Sequence, residues 1–377
     1  MSLGHIALFL PDLTGGGAER VMIHLARGLA RRGHSVDLVL VQARGPLLAE
    51  VPDQVRLIEL RSAGVLVSLR ALARYLRRER PDALLSTLNT ANVVAVYAAR
   101  LARSGTRIVI RQANTLSRTL SASSGLHRPI RFLVRRAYPR ADAVIAVSDG
   151  VARDLVELVP LDPARLRTVP SPIVTPDLFA RAAEPVDHPW FDRGDVPVVL
   201  GVGRLTRQKD FPTLILAFAR VARRRDARLL ILGEGEERPR LEALVRALDL
   251  DGRVELPGYV DNPFPFMARA AVLVLSSAWE GLPGVIVQAL ALGTPVIATD
   301  CESGPREALD GGRFGLLVPV GDDAAIARGL LDLLARRPAP VPRAAWNRYT
   351  EEAALDAYLR LLRPPVPHPT LEPAAHG

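Results

Sequence analysis

The stretch VVLGVGRLTRQKDF, residues 198–211, decides the architecture. An apolar run of strand character ends in glycine, a short loop carries Arg204 and Lys209, and an apolar pattern of helical period begins near residue 212 and runs to about 225. Just before it, PSPIVTPDLFARAAEPVDHPWFDRGDVP (170–197) is rich in proline and has little periodicity, as expected of an interdomain linker. Residues 198–211 are therefore the first strand, loop and helix of a second domain.

Downstream the alternation continues. RLLILG (228–233), VELPGY (254–259), VLVLSS (272–277), PVIATD (295–300) and GLLVP (315–319) read as strands, with helices near 237–248 and 284–292. Upstream, HIALFL (5–10), SVDLVLV (35–41), ALLSTL (83–88), RIVIRQ (107–112) and AVIAVS (143–148) read the same way, with a helix over 18–33 that stops at Gly33. Strand then helix, repeated, predicts parallel strands joined by helical crossovers. The expected fold is α/β: two doubly wound domains, 1–175 and 176–342, facing across a cleft that opens at the carboxyl ends of the strands. A chain of 377 residues suits two such units. RAAWNRYTEEAALDAYLRLLR (343–363) reads as one last helix, and the proline-rich tail 364–377 as disordered.

Composition excludes several classes. The single cysteine, Cys301, cannot form an internal disulfide or a cysteine zinc site, which fits a reducing cytoplasm. The seven histidines show no pair at ligand spacing, and DLD (249–251) lies at the wrong end of its strand for a metal–diphosphate site, so no metal is expected. No apolar window approaches the length of a spanning helix, and the amino terminus lacks signal-peptide character. Charge is uneven: residues 1–180 hold 25 arginines against 14 acidic residues, whereas 181–377 hold 24 basic against 26 acidic. This asymmetry points the first half toward an anionic surface. An arginine-biased codon usage accounts for scarce lysine but not for the asymmetry.

Three loops carry chemistry. TGGGAER (14–20), between the first strand and first helix, offers free N–H groups to an anion, the alternative being a plain tight turn. GVGRLTRQKDF (201–211) holds the only lysine among 49 basic residues. An ammonium is a compact point charge and a guanidinium a planar fork, so Lys209 suits a site where a phosphate is approached end-on, unless it is a surface lysine retained by chance. SSAWEGLPGVIVQALALGTPVIATD (276–300) puts Glu280 after a strand and a turn at Gly281–Gly284 before a helix, with Gln288 eight residues on. A ligand hydroxyl or a mere capping role would each explain the acid.

Together with LILGEGEERPRLEAL, VELPGYVDNPF and the continuation to CESGPREAL, these stretches closely resemble the retaining glycosyltransferases of the GT-B fold, family four, over roughly residues 4–362. The resemblance implies sugar transfer from a nucleotide diphosphate, with retention and without a metal or other cofactor. It implies that Arg204 and Lys209 bind the diphosphate and that Glu280 touches sugar hydroxyls. The backbone of Gly281, Leu282, Pro283, Gly284 and Val285 would hold sugar and phosphate, and Gly233, Gly235, Tyr259 and Val260 would seat the base. Gly16 and Gly17 would close over the diphosphate from the first domain, and the last helix would cross back onto it. Gln288 stands where the family's second glutamate grips ribose; an amide still donates and accepts there. After the fourth crossover strand the family often has a histidine or acid, whereas here Arg111, Gln112 and Asn114 form the acceptor side and supply no obvious base. A front-face mechanism needs none. The partners implied are a nucleotide-sugar, a UDP-sugar by preference, and a lipid-linked or glycan acceptor. The arginine-rich amphipathic stretches 68–80 and 127–140 suit an anionic membrane surface, with solvated outer helix faces as the alternative. Rival readings are a nucleotide-sugar isomerase or hydrolase of the same fold, a dinucleotide oxidoreductase lacking its glycine fingerprint, and a basic polyanion-binding protein.

Overall fold

The computed structural model describes residues 4–14, 16–121, 127–192, 196–336 and 340–363. The first domain is a seven-stranded parallel sheet of β1 (His5–Leu10), β2 (Ser35–Leu40), β3 (Val55–Glu59), β4 (Ala83–Thr87), β5 (Arg107–Gln112), β6 (Ala143–Ala146) and β7 (Leu166–Thr168), in the order β3-β2-β1-β4-β5-β6-β7. The second is a six-stranded parallel sheet of β8 (Val198–Val202), β9 (Arg228–Leu232), β10 (Val254–Gly258), β11 (Val272–Leu275), β12 (Val296–Thr299) and β13 (Leu316–Val318), in the order β10-β9-β8-β11-β12-β13. The central strands are buried on both faces, as helices on each side require, and read as unbroken apolar runs.

Helices of the first domain are α1 (Gly17–Arg31), α2 (Leu69–Glu79), α3 (Asn89–Ala102), α4 (Leu116–Ser121), α5 (His127–Ala137) and α6 (Asp149–Leu158). In the second are α7 (Leu178–Ala182), α8 (Pro189–Asp192), α9 (Phe211–Ala222), α10 (Arg238–Ala247), α11 (Phe264–Arg269), α12 (Gly284–Ala291), α13 (Pro305–Ala308) and α14 (Asp323–Ala335), and α15 (Glu351–Leu362) closes the described chain. Strand order reverses between β1 and β4 and again between β8 and β11, so each sheet opens a crevice at its carboxyl edge, where an α/β fold takes its ligand.

Two segments join the domains, and they hold each other. Ile173 and Val174 both donate backbone N–H to Tyr349 O (2.9 and 3.0 Å), and Glu351 N donates to Val174 O (3.0 Å). Residues 173–182 already pack in the core of the second domain.

The carboxyl-terminal region differs from the single helix expected over 343–363. Residues 343–349 form two short turns, with Ala345 and Tyr349 in the second domain's core, and α15 starts only after Thr350, whose hydroxyl accepts from Ala353 N. The chain must change domain at 350, and a β-region cap is what a helix start needs there. α15 then docks on the first domain: Glu351 pairs with Arg31, and Gly28 of α1 leaves room for Leu355. Burial of Leu355, Leu359 and Leu362 contributes about 1.5–3 kcal/mol each. The tail 364–377 lies outside the described residues. DLD (249–251) falls between α10 and β10, at the strand's amino end and away from the crevice.

Candidate active site in the interdomain cleft

Lys209 and Glu280 meet. β8 ends in a loop that returns beneath the end of β11, and Lys209 Nζ donates to Glu280 Oε1 at 2.5 Å, with side chains only 17% and 7% exposed. Ser277 Oγ donates to the same oxygen (2.7 Å), Ser276 Oγ donates to Lys209 O (2.8 Å), and Ala278 N donates to Gln208 O (2.8 Å). The two loops are thus stitched together, and a carboxylate costly to bury is compensated. The lysine stem lies across Gly203, where an added Cβ would stand 3.1–3.3 Å from Cε, Cδ and Cγ. A slim unbranched chain ending in a compact ammonium fits this slot, which is a physical reason for lysine at this position.

Arg204 is exposed at the end of β8; its carbonyl accepts from Thr206 N (2.8 Å), and its side chain makes no ion pair or hydrogen bond among the described residues. Gly233, at φ +149°, lies so close to Gly203 that a Cβ would stand 1.9 Å from its carbonyl oxygen. Gly235 packs in the same way on Leu205 O. These glycines lock the ends of β8 and β9 together and leave a flat floor. Tyr259, after β10, is 49% exposed and its hydroxyl accepts from Arg20 Nη2 of α1 at 3.0 Å; Val260 packs beside it on the second core. Pro283 caps α12, and Gly284, Val285 and Gln288 share the partly exposed face of that helix. Leu282 packs against the cores of both domains.

On the opposite wall, Gly16 and Gly17 open α1, and Gly15 lies outside the described residues. Gln112 and Asn114 belong to a buried chain of hydrogen bonds: Ser86 Oγ to Asn92 Oδ1, Asn92 Nδ2 to Tyr138 Oη and Arg111 O, Tyr138 Oη to Gln112 Oε1, and Gln112 Nε2 to Asn114 O. This network sets the loop after β5. Arg111 has a different situation from that of an acceptor contact. It is buried, and its guanidinium donates to Tyr358 Oη of α15 (3.0 Å), Thr87 Oγ1 (3.2 Å) and Ser171 Oγ (2.7 Å). It ties the carboxyl-terminal helix and the connector to the sheet and leaves a cation unmatched by a touching carboxylate.

Sequence reasoning missed the contacts that bring the walls together. Gly281 O accepts from Ser148 Oγ of the first domain (2.8 Å) and Ser303 Oγ of the second (3.0 Å). Asp149 N donates to Glu307 Oε2 (2.8 Å), and Arg118 pairs with Glu302. Burial raises the Glu307 carboxyl pKa, and burial also pushes the Cys301 thiol up to about 12, so that cysteine is no nucleophile. Asp149, Arg153, Asp300, Glu302 and Glu307 line a polar cavity of about 290 Å³ between the domains. Glu19, in the first turn of α1, was also passed over; the glycines before it drew the reading.

The profile described as Glycosyltransferase Family 4 matches residues 15–176, and that of Glycosyl transferases group 1 matches 196–336. The N-acetylgalactosamine-N,N'-diacetylbacillosaminyl-diphospho-undecaprenol 4-alpha-N-acetylgalactosaminyltransferase of Campylobacter jejuni is 30% identical over 339 residues, 87% of this chain and 90% of its own. The chain belongs to glycosyltransferase family 4. This family 4 enzyme is also 30% identical to the lipopolysaccharide core biosynthesis glycosyltransferase LpsE of Rhizobium meliloti, over 92% of this chain and 96% of that one. Its fold superposes on a crystal structure of Anabaena HepE in complex with UDP-glucose with a TM-score of 0.78 at 19% identity, covering 95% and 99% of the two chains. The two parallel sheets of the family 4 glycosyltransferase are therefore those of the GT-B architecture.

Proposed function

We propose that this glycosyltransferase moves a sugar from a UDP-sugar to a lipid-linked or polysaccharide precursor, with retention and without a metal. The observation that carries the reading is the Lys209–Glu280 pair at the carboxyl ends of β8 and β11. The diphosphate lies between Arg204 and Lys209 on one side and Gly16 and Gly17 on the other, with Glu280 and the backbone of 281–285 on the sugar. The bond from the anomeric carbon to the phosphate oxygen breaks as that to the acceptor oxygen forms on the same face, and the acceptor proton passes to the departing phosphate. Two cations offset the charge that develops there. Support for the acceptor class comes from the diphospho-undecaprenol in the Campylobacter relative's name, and for the donor from the UDP held by HepE.

The acceptor side includes a basic surface. Arg70, Arg74, Arg77 and Arg78 of α2 and Arg131, Arg135 and Arg136 of α5 face solvent, beside exposed Leu66, Val67 and Phe132. Arginines around apolar tips suit the inner face of an anionic bilayer, where a lipid-linked acceptor is presented. No helix is long and apolar enough among the described residues to cross a membrane.

The test is calorimetry of UDP, GDP and ADP with wild type, Lys209→Arg and Lys209→Ala. The reading predicts saturable binding of UDP that both variants weaken. Binding of no nucleotide, or undiminished binding by Lys209→Arg and Lys209→Ala, removes it.

A further inference from the structure

Glu19 lies in the first turn of α1, on the wall of the cleft to which the proposed function assigns the donor diphosphate. It is the third residue of α1, and its carboxylate folds back over Gly16 so closely that a Cβ there would lie 2.2 Å from Oε2. The glycine at the helix start thus leaves space for this protein's own anion. Three sources of positive potential converge on it: the first turn of α1, exposed Arg204 from the opposite domain, and buried Arg111, whose three hydrogen bonds go to neutral hydroxyls. Neither Glu19 nor Arg204 makes an ion pair among the described residues, so the two charges face each other without contact.

Resting on the donor reading above, we propose that Glu19 is the resident anion of the diphosphate pocket: the donor diphosphate takes its place, and Glu19 takes up a proton as it gives way. Until the donor arrives, the carboxylate offsets the positive potential of Arg204 and Arg111 without touching either. Burial is the largest influence on the group and raises its pKa, against the hydrogen bond from its own backbone N–H and the charges of Arg204 and Arg111, with Asp12 adding to the rise. An arriving diphosphate adds negative charge and raises it further, so proton uptake accompanies binding and donor affinity falls as pH rises. The charged groups that face it are Asp12 from the loop after β1, Arg111 from β5 and Arg204 from the loop after β8; neighbouring Arg20 is turned to Glu50 and Tyr259.

The experiment is calorimetry of UDP with wild type, Glu19→Gln and Glu19→Ala between pH 6 and 9, each in two buffers of different ionisation enthalpy. All three proteins meet the same ionisation of UDP, so differences belong to residue 19. Both variants are expected to bind about tenfold more tightly than wild type at high pH, as removal of one like charge a few ångström away would give, and to lose the excess proton uptake. Affinity and buffer-dependent heat equal to wild type would overturn the proposal and leave Glu19 a helix-start residue. Weaker binding by the variants would overturn it by making Glu19 a direct ligand contact, and a large fall in kcat at unchanged affinity by making it a proton acceptor. If wild type and both variants all bind no nucleoside diphosphate, the donor reading itself fails and takes this one with it.

Discussion

Gly281→Ala is the sharpest test of how the cleft closes. An added Cβ would lie 2.2 Å from Ala113 O and 2.9 Å from Asn114 Cα, both backbone atoms of the opposite domain. Gly281 cannot retreat, because its carbonyl is held by Ser148 Oγ at 2.8 Å and Ser303 Oγ at 3.0 Å. Relief requires a local separation of about 1 Å, and inserting a methyl into packing this close costs about 1–3 kcal/mol. The clash lies between domains, so opening of the cleft relieves it and each domain keeps its fold. The cost then appears in the closed population, which falls about 5- to 150-fold, and kcat/KM falls with it. Initial rates over a donor series, with thermal unfolding in parallel, measure both. Gly64→Ala, whose Cβ meets nothing within 4 Å, is the control. Wild-type kcat/KM in Gly281→Ala, or a loss fully explained by a lowered melting temperature, would refute the reasoning.

Burial lowers the His24 pKa from 6.5 to about 4 while its ring bonds Pro172 O on the connector at 3.2 Å. The unfolded chain takes the proton first, so stability is complete above pH 6.5 and about 3 kcal/mol is lost as pH falls toward 4; urea melts of His24→Gln should lack that part of the slope. Tyr358→Phe removes one of three side-chain acceptors from buried Arg111 and should cost about 1.5–3 kcal/mol in urea unfolding, with α15 losing protection from hydrogen exchange before the sheet does. Sedimentation with vesicles should show binding to anionic lipid that is lost at high salt and weakened by Arg74→Glu and Arg135→Glu together; binding to neutral vesicles alone would contradict the role given to these arginines.

The strand–helix alternation was legible because buried parallel strands write themselves as apolar runs, and the glycine and charge pattern of 201–211 and 276–288 drew attention to Lys209 and Glu280 from the sequence alone. β3 was not legible: VRLIE (55–59) is an edge strand, largely solvent-facing, and Arg56 and Glu59 break up its apolar run. β7, three residues at the other edge, gives too little pattern. The break at Thr350 was hidden inside a continuous helical pattern, because what ends the turns there is pairing with Val174, a contact across 176 residues. The resemblance puts Arg111 on the acceptor side, because its segment matches the one where the family has an acceptor-side residue; only the arrival of Tyr358 and Ser171 from distant segments buries it. The Ser148–Gly281–Ser303 contacts and the approach of Arg204 to Glu19 depend likewise on where the second domain sits, which no local spacing records.

Sugar transfer at the Lys209–Glu280 pair is proposed to retain the anomeric configuration, and the product's linkage reports it. The most direct measurement is nuclear magnetic resonance of the product formed from α-linked UDP-N-acetylgalactosamine or UDP-glucose and a polyprenyl-diphosphate saccharide, in the presence of a metal chelator. The account predicts an α-linked product with the chelator present and none from Glu280→Gln. A β-linked product, or transfer that depends on added metal, would contradict it.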